Sequence, residues 1–109
     1  MTDVSPADAY ACGVTTLLDW CDAHWTTHSA TACARIVLST YNAEEWPLSF
    51  RNFWLLDEDL RPAALDVIVG HLTTGREAHA FGEEARIQAL WRRMRPEDFE
   101  GHEDREAAE

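Results

Sequence analysis

Apolar residues recur at helical spacing along most of this chain, and no segment alternates apolar and polar residues as a half-buried strand would. Polar and charged residues fill the positions between them, so each predicted helix has one apolar stripe and one solvated face. The pattern predicts an all-α fold, a single compact domain of four to five helices. A chain of 109 residues is long enough for one hydrophobic core and too short for two.

Two helices are predicted in the first part of the chain. Ser5 and Pro6 have the preferences of an N-cap and of a first helical position, so the first helix should start there. Its inward residues recur at helical spacing: Tyr10, Val14, Leu17, Leu18, Cys21 and Trp25. The polar run at 26–29 should end this helix and cap a second one, which continues to about Asn42. Helices joined by so short a connection are expected to pack antiparallel.

An irregular, aromatic-rich connection is predicted at about 43–57. The seventeen residues from Tyr41 to Asp57 contain five of the eleven aromatic residues of the chain. Pro47 disfavours helical geometry at Trp46, so the chain must turn at this point.

A short helix is expected inside that connection. Ser49 can cap it, and Phe50, Phe53 and Trp54 then lie on one side of it. A helix this short is not stable alone. We therefore expect these three aromatic residues to be buried in the core, with Trp46 left outside.

Two further helices complete the predicted domain. One begins near Arg61 or Pro62 and ends at Gly75. Its apolar face is unusually wide: Leu60, Ala64, Leu65, Val67, Ile68, Val69 and Leu72. Such a face predicts the central helix of the bundle. The last helix should run roughly from Glu83 to Arg95, before Pro96.

The charge of the chain restricts its partners. Twenty acidic residues and nine arginines give a net charge of -11, which repels nucleic acid and anionic membranes and favours a basic protein partner. Residues 97–109 hold seven of the acids and are predicted to form a flexible acidic tail behind a helical domain at 1–96. No segment has the pattern of a signal peptide or a membrane helix, so we expect a cytoplasmic protein.

One constellation could bind a metal. On a continuous helix Cys21, His24 and His28 would lie on one side, and Cys33 or Cys12 could complete a tetrahedral zinc site. However, the first helix should end near residue 25, and the spacing matches no zinc-finger pattern. We therefore predict buried cysteines beside surface histidines, with no metal and no cofactor.

Other chemistries have weaker signals. Glu44 and Glu45 could act as an acid/base pair, although adjacent carboxylates usually point apart and we interpret them as solvated charges. A basic cluster near the end of the last helix is either a nucleic-acid patch or favourable charge at a helix C-terminus: Arg86, Arg92, Arg93 and Arg95. No sequence motif of a hydrolase nucleophile, phosphate loop or zinc protease occurs, and we predict that the protein is not an enzyme.

The acidic groups are the predicted working surface. Carboxylates one helical turn apart lie about 5–6 Å from each other, so an acidic helix can imitate the phosphates of DNA. The alternative is a charged surface that serves solubility only. The predicted partner-binding residues are these acids and one aromatic residue: Asp19, Asp22, Glu44, Glu45, Trp46, Asp57, Glu58 and Asp59.

Three stretches carry a family resemblance: Tyr41 to Glu45, Phe50 to Asp57, and Trp91 to Pro96. With them, the chain resembles, over roughly residues 14–97, a family of small helical domains of unknown function. Members of that family are encoded on plasmids, integrative conjugative elements and prophages of proteobacteria. The resemblance implies an accessory protein of a mobile genetic element and assigns no catalytic residue.

These patterns together lead to a functional expectation. We expect a non-enzymatic protein-binding protein, most concretely an inhibitor of a host defence complex of the CRISPR-Cas type. It would resemble anti-CRISPR proteins that block a basic nucleic-acid-binding surface, such as that of a Cas effector subunit. The alternative is a structural or regulatory helical module, as a monomer or a homodimer, in plasmid maintenance or transfer.

Overall fold

The computed structural model describes residues 5–78 and 82–98, and within these ranges it contains helices and no strand. The elements are α1 (Pro6–Ala23), α2 (His28–Tyr41), α3 (Phe50–Trp54), a 3₁₀ turn (Glu58–Leu60), α4 (Arg61–Thr74) and α5 (Glu84–Met94). The predicted all-α fold is confirmed. Residues 99–109 of the predicted acidic tail lie outside the described ranges.

The helix ends follow the capping rules that the sequence suggested. The Ser5 hydroxyl accepts a hydrogen bond from the Asp8 N–H at 3.1 Å, and Pro6 takes the first position of α1. Thr27 caps α2 and Ser49 caps α3 in the same way. α4 ends at Gly75, whose φ of 69° lies in the left-handed region where glycine avoids the steric cost of a Cβ.

The central helix is α2, not α4 as expected. α2 packs against each of the other four helices, and ten of its fourteen residues are buried. α4 uses one side, with Ala64 and Val67, to pack against α1 and α2. Its other side stays open to water, and Leu72 is 77% exposed there. The wide apolar pattern of α4 therefore covers two faces, of which the core needs only one.

Two glycines set the close approach of α1 and α4. A Cβ on Gly13 would lie 2.7 Å from the carbonyl oxygen of Ala63, and a Cβ on Gly70 would overlap the side chain of Tyr10. A glycine inside a helix costs about 1 kcal/mol relative to alanine. Here the absence of a side chain on each helix lets the other one pack directly against it.

For Trp46, Phe50 and Trp54 the burial is the reverse of the expectation, whereas Phe53 is partly buried and packs against the core. Trp46 is only 2% exposed, whereas Phe50 is 86% and Trp54 75% exposed. α3 packs against α2, and the side chain it buries is that of Asn52. Helical spacing correctly placed the three aromatic residues on the same side, but it does not specify which side of a short helix faces the core.

None of the described helices combines the length and the apolar composition needed to cross a bilayer.

Candidate protein-binding surface

Three aromatic residues and one arginine line a shallow groove of about 450 Å³ at the junction of α3 and α4. They are Phe50, Phe53, Trp54 and Arg61, which we call the aromatic surface. The guanidinium carbon of Arg61 lies 5.7 Å from the centre of the Trp54 ring, within the range of a cation–π contact. The cation thus packs on the exposed indole.

Local hydrogen bonds hold the connection that carries this surface. The Ser49 hydroxyl starts α3, and the N–H of Leu55 closes it by donating to the carbonyl of Arg51 at 3.1 Å. The N–H of Asp57 then donates to the Ser29 hydroxyl at the start of α2, at 3.0 Å. The aromatic surface is therefore anchored to the central helix at the end of the connection.

The open face of α4 extends the same surface. Leu65, Val69 and Leu72 are exposed, and they follow Arg61 at intervals of four, four and three residues. Residues with this spacing lie on one side of a helix. Apolar surface therefore runs from Trp54 over Arg61 and along α4.

Free carboxylates adjoin this apolar surface. Asp57, Glu58 and Asp59 are exposed and lie in the chain between Trp54 and Arg61. In the described part of the chain none of the three forms an ion pair. They were among the predicted partner-binding residues, and their position leaves them open to a basic partner.

Asp19 and Asp22, in contrast, are used inside the molecule. Arg86 of α5 reaches their carboxylates at 3.0 and 2.9 Å, and it also pairs with Glu83 at 2.9 Å. These ion pairs connect α1 to α5. The predicted track of free carboxylates is therefore interrupted at this place, because its charge is partly neutralised by Arg86.

Glu45 and Trp46 also have internal contacts. Arg95 pairs with the Glu45 carboxylate at 3.2 Å, donates to the Glu45 carbonyl at 2.6 Å, and lies 3.9 Å from the centre of the Trp46 ring. The Trp91 ring packs edge to face on the Trp46 ring, with 5.8 Å between the ring centres. Trp46 was predicted to be an exposed binding residue, and its burial contradicts that prediction. Glu44 and Glu45 are both exposed, and of the two it is Glu45 that carries the ion pair with Arg95.

The predicted basic cluster at the end of α5 is dispersed. Arg86 faces three carboxylates, Arg95 packs on Trp46, and Arg93 lies 4.5 Å from the centre of the Trp25 ring. Arg86, Arg93 and Arg95 thus have internal partners, and Arg92 is not free either, which agrees with the structural interpretation rather than with a nucleic-acid patch.

Those cysteine and histidine residues that the structure describes do not come together as metal ligands. In the described ranges, no group of three or more suitable side chains could hold a metal ion. The Cys21 thiol donates to the Ala30 carbonyl at 3.1 Å, and the His24 ring packs on Trp20 with 3.9 Å between ring centres. Burial raises the pKa of Cys21 to about 11 and that of Cys33 to about 12. The predicted burial is confirmed for these two cysteines, and Cys12 is exposed.

Comparison with known proteins gives a family and no function. A family model described as "Family of unknown function (DUF7673)" matches residues 13–95. The chain belongs to this family. No curated protein and no solved structure matches the chain. The DUF7673 match spans α1 from Gly13 onward and continues beyond α5, so both the core and the aromatic surface belong to the family domain.

Sequence reasoning missed the aromatic surface as a site, although one signal was present. α4 has more apolar residues than one buried stripe requires, because Leu65, Val69 and Leu72 add a second stripe beside Ala64 and Val67. A helix that is apolar all round is either enclosed in a core or open to a partner. In this domain α4 is not enclosed in the core, because Leu65, Val69 and Leu72 are exposed.

Proposed function

We propose that this domain acts by binding another protein through the aromatic surface and the open face of α4. The observation that carries the proposal is the exposure of Phe50 and Trp54. Aromatic side chains offer about 150–250 Å² each, so these two leave roughly 300 Å² of apolar area open to water. Apolar patches of about 300–600 Å² are the largest on a typical monomer and are often functional.

The residue types fit a binding role as well. Tryptophan and arginine are enriched among the residues that dominate binding free energies. Trp54 and Arg61 already contact each other in the free domain. Because the indole is held in part by that contact, less side-chain entropy is lost when a partner covers it.

The charge of the surroundings indicates what kind of protein would bind. Asp57, Glu58 and Asp59 adjoin the apolar surface on a chain with a net charge of -11. Charge complementarity speeds association and rejects acidic partners. The partner should therefore present apolar side chains surrounded by lysine and arginine.

More specifically, the proposed partner is part of a host defence system. The domain is encoded on a mobile genetic element and blocks the basic nucleic-acid-binding surface of a host defence complex of the CRISPR-Cas type. The acidic charge of the chain, with a net charge of -11, supports this setting.

A second function would use the same surface for self-association. The open face of α4, with Leu65, Val69 and Leu72, is an apolar stripe that two copies could pair along. The domain would then be a structural or regulatory module in plasmid maintenance or transfer. The salt dependence of binding distinguishes the two functions. Salt weakens the attraction between this acidic domain and a basic partner, so that binding should weaken. Salt also weakens the repulsion between two acidic copies, so that self-association should strengthen.

The first experiment compares capture by immobilised variants from lysates of a host that carries a CRISPR-Cas system. Wild-type protein and Leu48→Ser, which removes a more weakly exposed apolar residue outside the groove, should retain the same partner. Trp54→Ser should lose it. The captured complex should also bind nucleic acid less tightly when the wild-type domain is added. Equal capture by Trp54→Ser would contradict the proposal.

A second experiment tests the charge. Joint neutralisation of residues 57–59 (D57N, E58Q, D59N) should weaken partner binding most at low salt. A control that neutralises three other exposed carboxylates, Asp8, Glu77 and Glu97, should change it much less. Sedimentation of the free domain would favour self-association instead if it showed a dimer that tightens with salt and dissociates with Trp54→Ser.

A further inference from the structure

A second groove beside α3 is lined by two arginines and an asparagine. Its volume is about 300 Å³, and Arg35 of α2 lines it together with Arg51 and Asn52 of α3. The Arg35 guanidinium carbon also lies 5.9 Å from the centre of the Trp46 ring. None of the residues that line it belongs to the aromatic surface. This groove is therefore separate from the aromatic surface.

The two arginines have no acidic partner. In the described ranges neither Arg35 nor Arg51 forms an ion pair, although acidic residues outnumber arginines in the chain by twenty to nine. Arg86 and Arg95, in contrast, are both paired. No acidic residue lines the groove. It is a positive site on a negative molecule.

The amide adds a polar group that opens into the groove. Asn52 is only 7% exposed, and its side chain lines the groove without a hydrogen bond to any group of the described chain. Its amide atoms are not among the fully buried ones that lack a partner, so they are open to solvent. Its NH₂ group offers two donors beside the five of each guanidinium, a set that suits an oxyanion.

We propose that this groove binds a small oxyanion, a phosphate or a carboxylate group, between Arg35 and Arg51 with the Asn52 amide as a further donor. The anion would reduce the repulsion between the two guanidinium groups and would accept a hydrogen bond from the amide. At about 30 Å³ for one water molecule, the groove has room for a phosphate group and several waters. This inference is independent of the proposed protein-binding function.

The test is an NMR titration of isotope-labelled full-length protein with inorganic phosphate and, separately, with acetate. Sodium chloride keeps the ionic strength constant and serves as the reference anion. The side-chain signals of Arg51, Arg35 and Asn52 should shift and saturate with phosphate, acetate or both. Saturation with phosphate alone assigns a phosphate ligand, and saturation with acetate as well assigns a carboxylate.

Substitutions distinguish a specific anion-binding site from general electrostatic attraction of anions to arginine. Arg51→Gln should weaken binding roughly tenfold or more, because it removes charge-assisted hydrogen bonds to the anion. Asn52→Asp, which has nearly the same shape, should abolish binding by placing a carboxylate in the groove. The matched control Arg76→Gln removes an exposed arginine elsewhere and should leave the affinity unchanged. The proposal is overturned if neither anion gives saturable shifts in the groove, or if Arg76→Gln weakens binding as much as Arg51→Gln.

Discussion

Trp46 and Trp54 lie eight positions apart in one connection, yet their surroundings are opposite. Trp46 is enclosed, with the Arg95 guanidinium carbon 3.9 Å from its ring centre and Trp91 at 5.8 Å. Trp54 has the side chain of Arg61 at 5.7 Å on one side and is otherwise largely open to water. One tryptophan belongs to the core, and the other belongs to the proposed binding surface.

The difference shows that aromatic content alone does not locate a core. α3 is only five residues long, so it can bury a single side, and it buries the side with Asn52. Phe50 and Trp54 then necessarily face outward. Trp46 precedes this helix, in a turn that brings it next to α5 and under Arg95. The direction of one short helix thus separates a tryptophan of the core from the aromatic residues of the proposed binding surface.

The largest effect expected concerns the two tryptophans themselves. Trp46→Ala should lower the free energy of unfolding by about 3–5 kcal/mol, because it leaves a large cavity in the core. Trp54→Ala should change it by no more than about 0.5 kcal/mol, as is usual for surface positions. Urea unfolding followed by circular dichroism measures both. A loss of similar size for the two variants would contradict the comparison.

The arginines that pack on Trp46 and Trp54 should also differ in how much each contributes to the free energy of unfolding. Arg95→Leu removes a cation–π contact and two hydrogen bonds to Glu45, and we expect a loss of about 1–2 kcal/mol. Arg61→Leu is the matched control on Trp54, with an expected change below about 0.5 kcal/mol. Thermal unfolding of the two variants decides the point. A more harmful Arg61 variant would mean that the aromatic surface is part of the core.

The buried side of the molecule should also have a pH signature. Burial raises the pKa of Cys21 to about 11 and of Cys33 to about 12, above the ordinary value of 9.0. Above pH 9 thiols of the unfolded chain therefore lose protons while the folded ones keep them. The free energy of unfolding should fall as pH rises from about 9 to 11, by up to about 1.4 kcal/mol per pH unit for each thiol.

Two substitutions check the origin of that slope. Cys21→Ala and Cys33→Ala, each of which removes one buried thiol with a raised pKa, should both make the alkaline loss of stability less steep. Tyr10, whose pKa is also raised by burial, adds to the loss above pH 10 in every variant. An unchanged slope in Cys33→Ala would exclude the thiol as its source.

The smallest expected effects distinguish paired from free carboxylates. Asp22→Asn should cost less than about 1 kcal/mol, because its ion pair with Arg86 is exposed to solvent. The effect should shrink at high salt. Asp57→Asn, at an unpaired position, should not lower the free energy of unfolding by a measurable amount, although we expect it to weaken partner binding. Chemical denaturation at two salt concentrations is the measurement, and a larger loss for Asp57→Asn would contradict this assignment.

Much of the fold could be predicted because local rules determine it. Ser5 with Pro6, Ser49, and Gly75 act on their own neighbours through capping and backbone geometry, so these helix ends follow from the sequence. The helical spacing of Val14, Leu17 and Cys21 also identifies the buried side of α1.

The candidate site was harder to predict because it depends on contacts between distant residues. Arg95 lies fifty positions from Glu45, and Arg86 more than sixty from Asp19 and Asp22. Only the tertiary structure shows that these acids are paired, whereas residues 57–59 are not. The exposure of Trp54 likewise depends on how α3 lies against α2, which spacing along the chain does not determine.

The most direct test of the account uses the indole N–H signals in a proton–nitrogen NMR spectrum recorded with a soluble paramagnetic agent. At low protein concentration, where a dimer would dissociate, the Trp54 signal should broaden strongly and the Trp46 signal should persist. That result is predicted because the Trp46 nitrogen is buried without a hydrogen-bond partner and Trp54 is 75% exposed. Broadening of Trp46, or protection of Trp54, would contradict the division between core and binding surface.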